Sequence, residues 1–209
     1  MSLVRLLQLA SPTLPVGAYS YSQGLEAAIE AGIVKDAHSA ERWIGDVLDF
    51  SLRSMEAPLL FRLLTEKTET ENLNTLFLAS RETAELRAET LQMGYSLCRL
   101  LGELGMKDLP VGEVAFPTAF AFAARQWGIA PREALLGYLW SWLENQVMAA
   151  VKGIPLGQTD GQRILLAIGD SLPSIAEQAM EPGNPANFAP GLAMLSSRHE
   201  TQYSRIFRS

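Results

Sequence analysis

Three short stretches of the sequence carry residue types and spacings that could support chemistry. The stretch GIPLGQTDGQ, residues 153–162, has a glycine at every fourth position, as in some phosphate-binding loops. GYSLC, residues 94–98, contains half of the pattern that surrounds a hydrolase nucleophile. HETQY, residues 199–203, begins with the His-Glu pair of a zinc-binding helix. Each stretch raises the question of an enzyme or a metalloprotein.

None of the three stretches completes its pattern. Residues 153–162 lack the lysine followed by Ser or Thr that contacts phosphates, and no strand is predicted before them. Residues 94–98 lie within a predicted helix, not at a strand-to-helix turn. Tyr203 stands where a second histidine ligand would be needed, and Ser197 with Glu200 predicts a helix capping box instead. We therefore predict no catalytic, cofactor-binding or metal-ligating residues.

Length, net charge and cysteine content limit the kind of protein that this chain can be. A chain of 209 residues can bury roughly 70% of its unfolded surface, which suits one large domain. The net charge of −6 disfavours nucleic acid and anionic membranes as partners. Cys98 is the one cysteine, so there is no internal disulfide and a cytoplasmic location is expected. Residues 6–25 are uncharged but contain two prolines and two glutamines, which argues against a membrane span.

Helical periodicity recurs along the whole chain, and strand signals are scarce. We predict an all-α fold, a single-domain bundle of roughly ten helices over residues 1–209. Asp36 predicts the start of a helix that runs to about residue 55, with Pro58 in the first turn of the next. Residues 81–105 predict the longest helix, and small residues at every fourth position of 94–102 would let another helix approach closely. The Pro- and Gly-rich residues 180–194 predict a mobile loop before the final helix.

A proline-rich loop, residues 11–19, precedes the second helix. Its two prolines fix the backbone and end the first helix. Ser20 and Gln23 have the spacing of a capping box, which predicts that the second helix begins near Tyr21. Capping leaves Tyr19 and Tyr21 unexplained. Either the stiff loop presents them to a partner or they pack in the core, and the sequence favours neither reading.

The tail, residues 204–209, is basic and aromatic in an otherwise acidic chain. Arg, Tyr and Phe are enriched at binding hot spots, which favours an interface over cations that merely complement a helix dipole. A helix capped by Ser197 and Glu200 would extend to about Ile206, and nothing in the sequence closes the chain after it. With the two loop tyrosines, the residues predicted to bind partners are Tyr19, Tyr21, Tyr203, Arg205, Phe207 and Arg208.

Several motifs in fixed order resemble the UreF family of urease accessory proteins. They are LLQLASPTLPVGAYSYSQGLEAAIEAG near the start, SRETAELRAE in the long helix, VMAAVKGIPLGQTDGQ in the later region, and SSRHETQYSRIFRS at the end. The resemblance covers essentially the whole chain. A set of ordered motifs is more specific than any one of them.

The resemblance implies an all-helical homodimer that is not itself an enzyme. It implies a scaffold and regulator that joins the D-type (also called H-type) accessory protein and the G-type GTPase to load nickel into apo-urease, with nickel handled by the assembled complex. Two alternatives stay open: a standalone nickel-binding chaperone, and an enzyme that binds a nucleotide through residues 157–162.

Overall fold

Apolar residues at helical spacing dominate the chain, and the structure forms a helix wherever they recur. The computed structural model describes residues 2–209, where we find helices and loops and no strand. The prediction of an all-α fold is confirmed. The helices are α1 Ser2–Leu9, α2 Leu25–Glu30, α3 Ala37–Val47, α4 Ala57–Thr65, α5 Thr70–Ala79, α6 Ala84–Glu103, α7 Phe116–Gln126, α8 Pro131–Gly153, α9 Gln158–Gly169, α10 Leu172–Ala179 and α11 Pro190–His199.

Helices α4, α7 and α8 form the centre of the core. Every residue of 117–124 in α7 is buried, because α7 lies between α4 and α6. Helix α8 spans 23 residues and packs against α1, α2, α3, α4, α9 and α10. None of the helices in the described chain combines the length and the apolar character needed to span a membrane.

Helices α3 and α4 are joined without a break through a π-helical segment, Leu48–Glu56. Asp36 caps α3 as predicted, with a capping box to Ser39. Pro58 lies in the first turn of α4, as predicted, but no loop separates α4 from α3 because the backbone stays helical across the junction. Proline has no N–H for the carbonyl of Ser54, four residues earlier. That carbonyl instead accepts the N–H of Ala186 at 2.9 Å.

The loop between α10 and α11, predicted to be mobile, is anchored to neighbouring helices near its centre. Besides the bond from Ala186, the side-chain amide of Asn187 donates to Glu82 at 2.6 Å and to the carbonyl of Ser80 at 3.3 Å. The loop thus donates hydrogen bonds both to the π-helical segment, at Ser54, and to the residues before α6.

Helix α6 is shorter than predicted, and α8 is longer than α6. The small residues at 94–102 accommodate a loop, not a helix. A β-carbon at Gly94 would lie 2.0 Å from the carbonyl oxygen of Val114, and one at Gly102 would lie 3.2 Å from Leu109. Cys98 between them is half-buried, and burial raises the pKa of its thiol.

Replacing Gly94 with alanine should destabilise the fold, because the added methyl group would overlap backbone that cannot turn away. We expect the free energy of unfolding, measured by urea denaturation, to fall by about 2 kcal/mol or more. Gly45→Ala in α3 is the matched control, since a β-carbon there meets no atom within 4 Å. It should raise stability by roughly 0.5–1 kcal/mol through helix propensity. Equal effects of the two changes would contradict the close approach at Gly94.

Candidate functional site

The proline loop, residues 11–19, is stiffened by its own hydrogen bonds. The N–H of Leu14 donates to the carbonyl of Ser11 at 3.0 Å, and the N–H of Val16 donates to that of Leu14 at 2.7 Å. Val16 is buried and anchors the loop, while Tyr19 stays 66% exposed. The ammonium of Lys152 lies 5.8 Å from the centre of the Tyr19 ring, close enough for a weak cation–π contact. The loop therefore displays Tyr19 from a fixed backbone.

The chain after this loop departs from the predicted capping box. Gly24, with φ of 78°, precedes α2, so the helix begins four residues after Tyr21. Gln23 has a left-handed backbone with φ of 53°, and its side chain points inward. Its Nε2 donates to Glu89 at 2.7 Å, and its Oε1 accepts from Trp142 Nε1 at 2.7 Å. Two buried partners thus use the side chain that was expected to cap the helix.

The second predicted capping box, Ser197 with Glu200, is also wrong. Helix α11 begins at Pro190 and ends at His199, so Ser197 lies inside the helix and Glu200 lies after it. The carboxylate of Glu200 accepts the N–H of Ala84 at 2.9 Å and caps α6, together with the hydroxyl of Thr83. A carboxylate at that position satisfies free amides and complements the helix dipole.

After α11 the chain turns back and docks on the start of α2. The carboxylate of Glu26 accepts the N–H of Ile206 at 2.6 Å and that of Phe207 at 2.8 Å. The side chain of Phe207 enters the core and is 5% exposed. The expectation that nothing closes the chain after Ile206 is therefore wrong. A buried carboxylate and a pocket for one aromatic ring close it.

The last two residues pair with the segment between the proline loop and α2. The N–H of Arg208 donates to the carbonyl of Ser20 at 2.8 Å, and the carbonyl of Ser209 accepts the N–H of Ser22 at 2.8 Å. The hydroxyl of Ser209 donates to Glu89 at 2.7 Å. The end of the tail thus lies beside the end of the proline loop, and we call residues 11–21 and 203–209 together the loop–tail face.

The six residues predicted to bind partners divide into exposed and buried groups. Tyr203 is fully exposed, Arg208 is exposed, and the side chain of Arg205 is 34% exposed. With Tyr19 they lie on the loop–tail face. Tyr21 and Phe207 are buried, so the core reading holds for Tyr21 and the expected free side chain of Phe207 is wrong. Burial raises the pKa of the Tyr21 hydroxyl, an effect that nearby Glu89 reinforces and Arg208 opposes.

Beneath the loop–tail face lies a network of buried carboxylates that the sequence analysis missed. Glu56 is paired with Arg81 at 2.7 Å, and Tyr138 donates to Glu56 at 2.9 Å. Burial of Glu89 raises the pKa of its carboxyl to about 7, which the bonds from Gln23 and Ser209 oppose. One signal was available, because Glu89 lies on the same helical stripe as the apolar residues Leu86 and Met93.

Two cavities flank the proline loop. The inner one, of about 230 Å³, lies between α6 and α8 with Glu56 and Glu89 on its wall. The outer groove, of about 480 Å³, lies between the loop and α6 and is bordered by Tyr21, Gln92 and Arg208. Tyr19 borders both cavities.

The stretches that first suggested chemistry have ordinary places in the fold. Residues 153–162 end α8 and begin α9. Residues 94–98 lie in the middle of α6. His199 contacts two carboxylates, and within residues 2–209 we find no group of three or more His, Cys, Asp or Glu side chains that could hold a metal ion.

The structure is that of an all-α protein whose C-terminal tail docks beside a proline loop. Comparison with known proteins identifies the particular family. The UreF family profile matches residues 34–169. The urease accessory protein UreF of Azoarcus sp. (strain BH72) is 55% identical over 100% of this chain and 96% of its own length. The UreF protein of Dechloromonas aromatica (strain RCB) is 51% identical over 100% of this chain and 98% of its own length.

The chain therefore belongs to the UreF family of urease accessory proteins. The resemblance noted in the sequence is confirmed. These two relatives are named as accessory proteins of urease and not as the enzyme.

Glu89 should make stability depend on pH. Its carboxyl pKa rises from 4.5 to about 7 on folding, so the folded protein holds the proton more tightly and stability falls as pH rises from about 4.5 to about 7. In Glu89→Gln this contribution is absent. We expect the stability of the natural protein relative to the variant to drop by roughly 3 kcal/mol across that range. Urea denaturation at several pH values measures it.

The control for this experiment is Glu103→Gln, a change at an exposed position of the same helix. It should leave the pH profile of stability close to that of the natural protein. Parallel pH profiles for the natural protein and Glu89→Gln would show that the buried carboxyl does not titrate differently in the two states.

Proposed function

We propose that this chain is a non-enzymatic scaffold and regulator that joins the D-type (H-type) accessory protein and the G-type GTPase for GTP-dependent nickel insertion into apo-urease. The observation that carries the proposal is the loop–tail face, where Tyr19, Tyr203 and Arg208 are exposed and the N–H of Arg208 is bonded to the carbonyl of Ser20. Membership of the UreF family of urease accessory proteins supports a role for this face in the maturation of urease.

The rigidity of this face favours binding. An interface that is ordered before association loses less conformational entropy when the partner arrives. The exposed guanidinium of Arg208 can form forked hydrogen bonds to a carboxylate, and a fully exposed Tyr203 ring can enter a partner's pocket. In a chain of net charge −6 these are local cationic and aromatic features. We infer that the partner's surface there contains carboxylates.

The other three predicted residues, Arg205, Phe207 and Tyr21, affect binding indirectly, because they determine where the tail lies. The guanidinium of Arg205 bonds to Glu85 at 2.6 Å and to the carbonyls of Glu200 and Gln202, so it is largely occupied within the chain. Phe207 and Tyr21 lie beneath the face. We propose that these three residues hold the tail in place, while Tyr19, Tyr203 and Arg208 contact the partner.

Nickel in this proposal is the cargo of the assembled complex and is not bound tightly by this chain. We place the assembly in the cytoplasm, where the thiol of Cys98 would remain reduced.

Removing the exposed anchors should weaken partner binding without unfolding the chain. We expect Tyr203→Ala combined with Arg208→Ala to weaken the complex with the D-type protein or the GTPase by about 2 kcal/mol, or about thirtyfold in Kd. Co-purification and titration with the purified partners measure it. Point changes are preferable to removal of residues 204–209, which would also take Phe207 out of the core.

Arg163→Ala is the matched control, because Arg163 is an exposed arginine on α9, paired only with Asp160. It should leave partner affinity unchanged. If the double variant keeps its thermal stability and still assembles the full complex with normal affinity, the loop–tail face is not the binding surface and the tail is only a docked segment.

We also propose that the chain is a homodimer. Light scattering coupled to gel filtration at micromolar concentration should give a mass of about twice 22.9 kDa. A strict monomer at that concentration would contradict the dimer and leave the assignment of the loop–tail face intact.

A further inference from the structure

His199 is fully buried at the end of α11 with a carboxylate on each side of its ring. Nδ1 lies 2.6 Å from Oε2 of Glu85, and Nε2 lies 3.2 Å from Oε2 of Glu26. The two glutamate side chains are only 16% and 9% exposed. They come from α6 and α2, so one imidazole connects three helices. We call these three residues the His199 cluster.

Counting donors shows that this arrangement needs an extra proton. An ionised carboxylate only accepts hydrogen bonds, and a neutral imidazole donates from one nitrogen and accepts at the other. With a neutral ring and two carboxylates, one of the two contacts would place two acceptors against each other. A ring with protons on both nitrogens satisfies both contacts.

The charges around the cluster agree with this count. The second oxygen of Glu85 is 2.6 Å from the guanidinium of Arg205. With an imidazolium, the buried site contains two negative and two positive charges, whereas a neutral ring would leave one negative charge uncompensated. His199 is also the last residue of α11, where the helix dipole favours a cation. Glu200 is occupied at the N-terminus of α6.

We propose that His199 is a positioning residue. Its doubly protonated imidazolium bridges Glu26 and Glu85 and so holds the tail in its docked position within the loop–tail face. Besides contacting the imidazolium, both glutamates accept hydrogen bonds from the tail. Glu26 accepts the N–H groups of Ile206 and Phe207, and Glu85 accepts from Arg205. The imidazolium orients both carboxylates and offsets their repulsion. The consequence for partners rests on the proposed function, but the protonation and the docking of the tail do not.

Nitrogen NMR of the imidazole rings tests the protonation directly. The chain has two histidines, and His38 is exposed, so it provides an internal reference in the same spectrum. At pH 7 we expect His199 to show two protonated ring nitrogens that exchange slowly with solvent, because the ring is buried. A single protonated nitrogen beside a bare one would overturn the proposal.

The second test measures whether the cluster holds the tail. In His199→Gln we expect the amides of Ile206 and Phe207 to exchange with deuterium at least about tenfold faster, because Glu26 and Glu85 are left without the bridging cation. Adding Glu85→Gln to that variant removes one of the two carboxylates that the imidazolium had bridged, which lowers their repulsion and should recover part of the protection. His38→Gln is the control and should leave the tail unchanged.

Tail amides that exchange at the natural rate in His199→Gln would overturn the positioning role. If that variant does not fold, the NMR measurement on the natural protein and the exchange of the tail in Glu85→Gln alone still decide, with faster tail exchange expected in the latter. A doubly protonated His199 together with a complete lack of partner binding would remove the proposed function and leave this inference standing.

Discussion

The position of the tail depends on one buried acceptor, the carboxylate of Glu26. Extended backbone that enters a protein interior brings N–H groups that must find acceptors there. Glu26 supplies one for Ile206 and one for Phe207 at the start of a short helix that ends soon after. Without this carboxylate, the N–H of Phe207 would be buried without its acceptor, which would weaken the docking of the tail. The surface that includes Tyr203 and Arg208 is thus built on an interior ionic contact.

Such a design separates the residues that hold the face from those that could bind. Glu26, Glu89 and Gln23 lie in the interior and form hydrogen bonds there. These bonds stabilise one arrangement of the loop and the tail. Exposed side chains of the same face do not form these interior hydrogen bonds and can contact a partner. The raised pKa of the Glu89 carboxyl reflects this division, since burial for structural reasons makes its charged form costly.

The two capping boxes predicted from the sequence are wrong because their side chains bond to residues far along the chain and not to nearby backbone. Asp36 caps its own helix because its nearest free amides are three residues away, and the sequence predicts this correctly. Gln23 and Glu200 have equally good local spacing, yet each bonds to a residue far along the chain. Local spacing states what a side chain can do. Which contact forms depends on what the folded chain brings near it.

Sequence by itself determined the helical class, most helix positions and the family, because periodic apolar residues and ordered motifs are properties of the chain alone. It also indicated the proline loop and the tail as unusual. Only the tertiary structure decided that Tyr21 and Phe207 are buried while Tyr19 and Tyr203 are exposed, and that His199 lies between Glu26 and Glu85. The reason is physical: burial and charge pairing depend on contacts between residues more than 100 positions apart, such as Glu26 with His199 at 173 and with Phe207 at 181, and no local pattern encodes them.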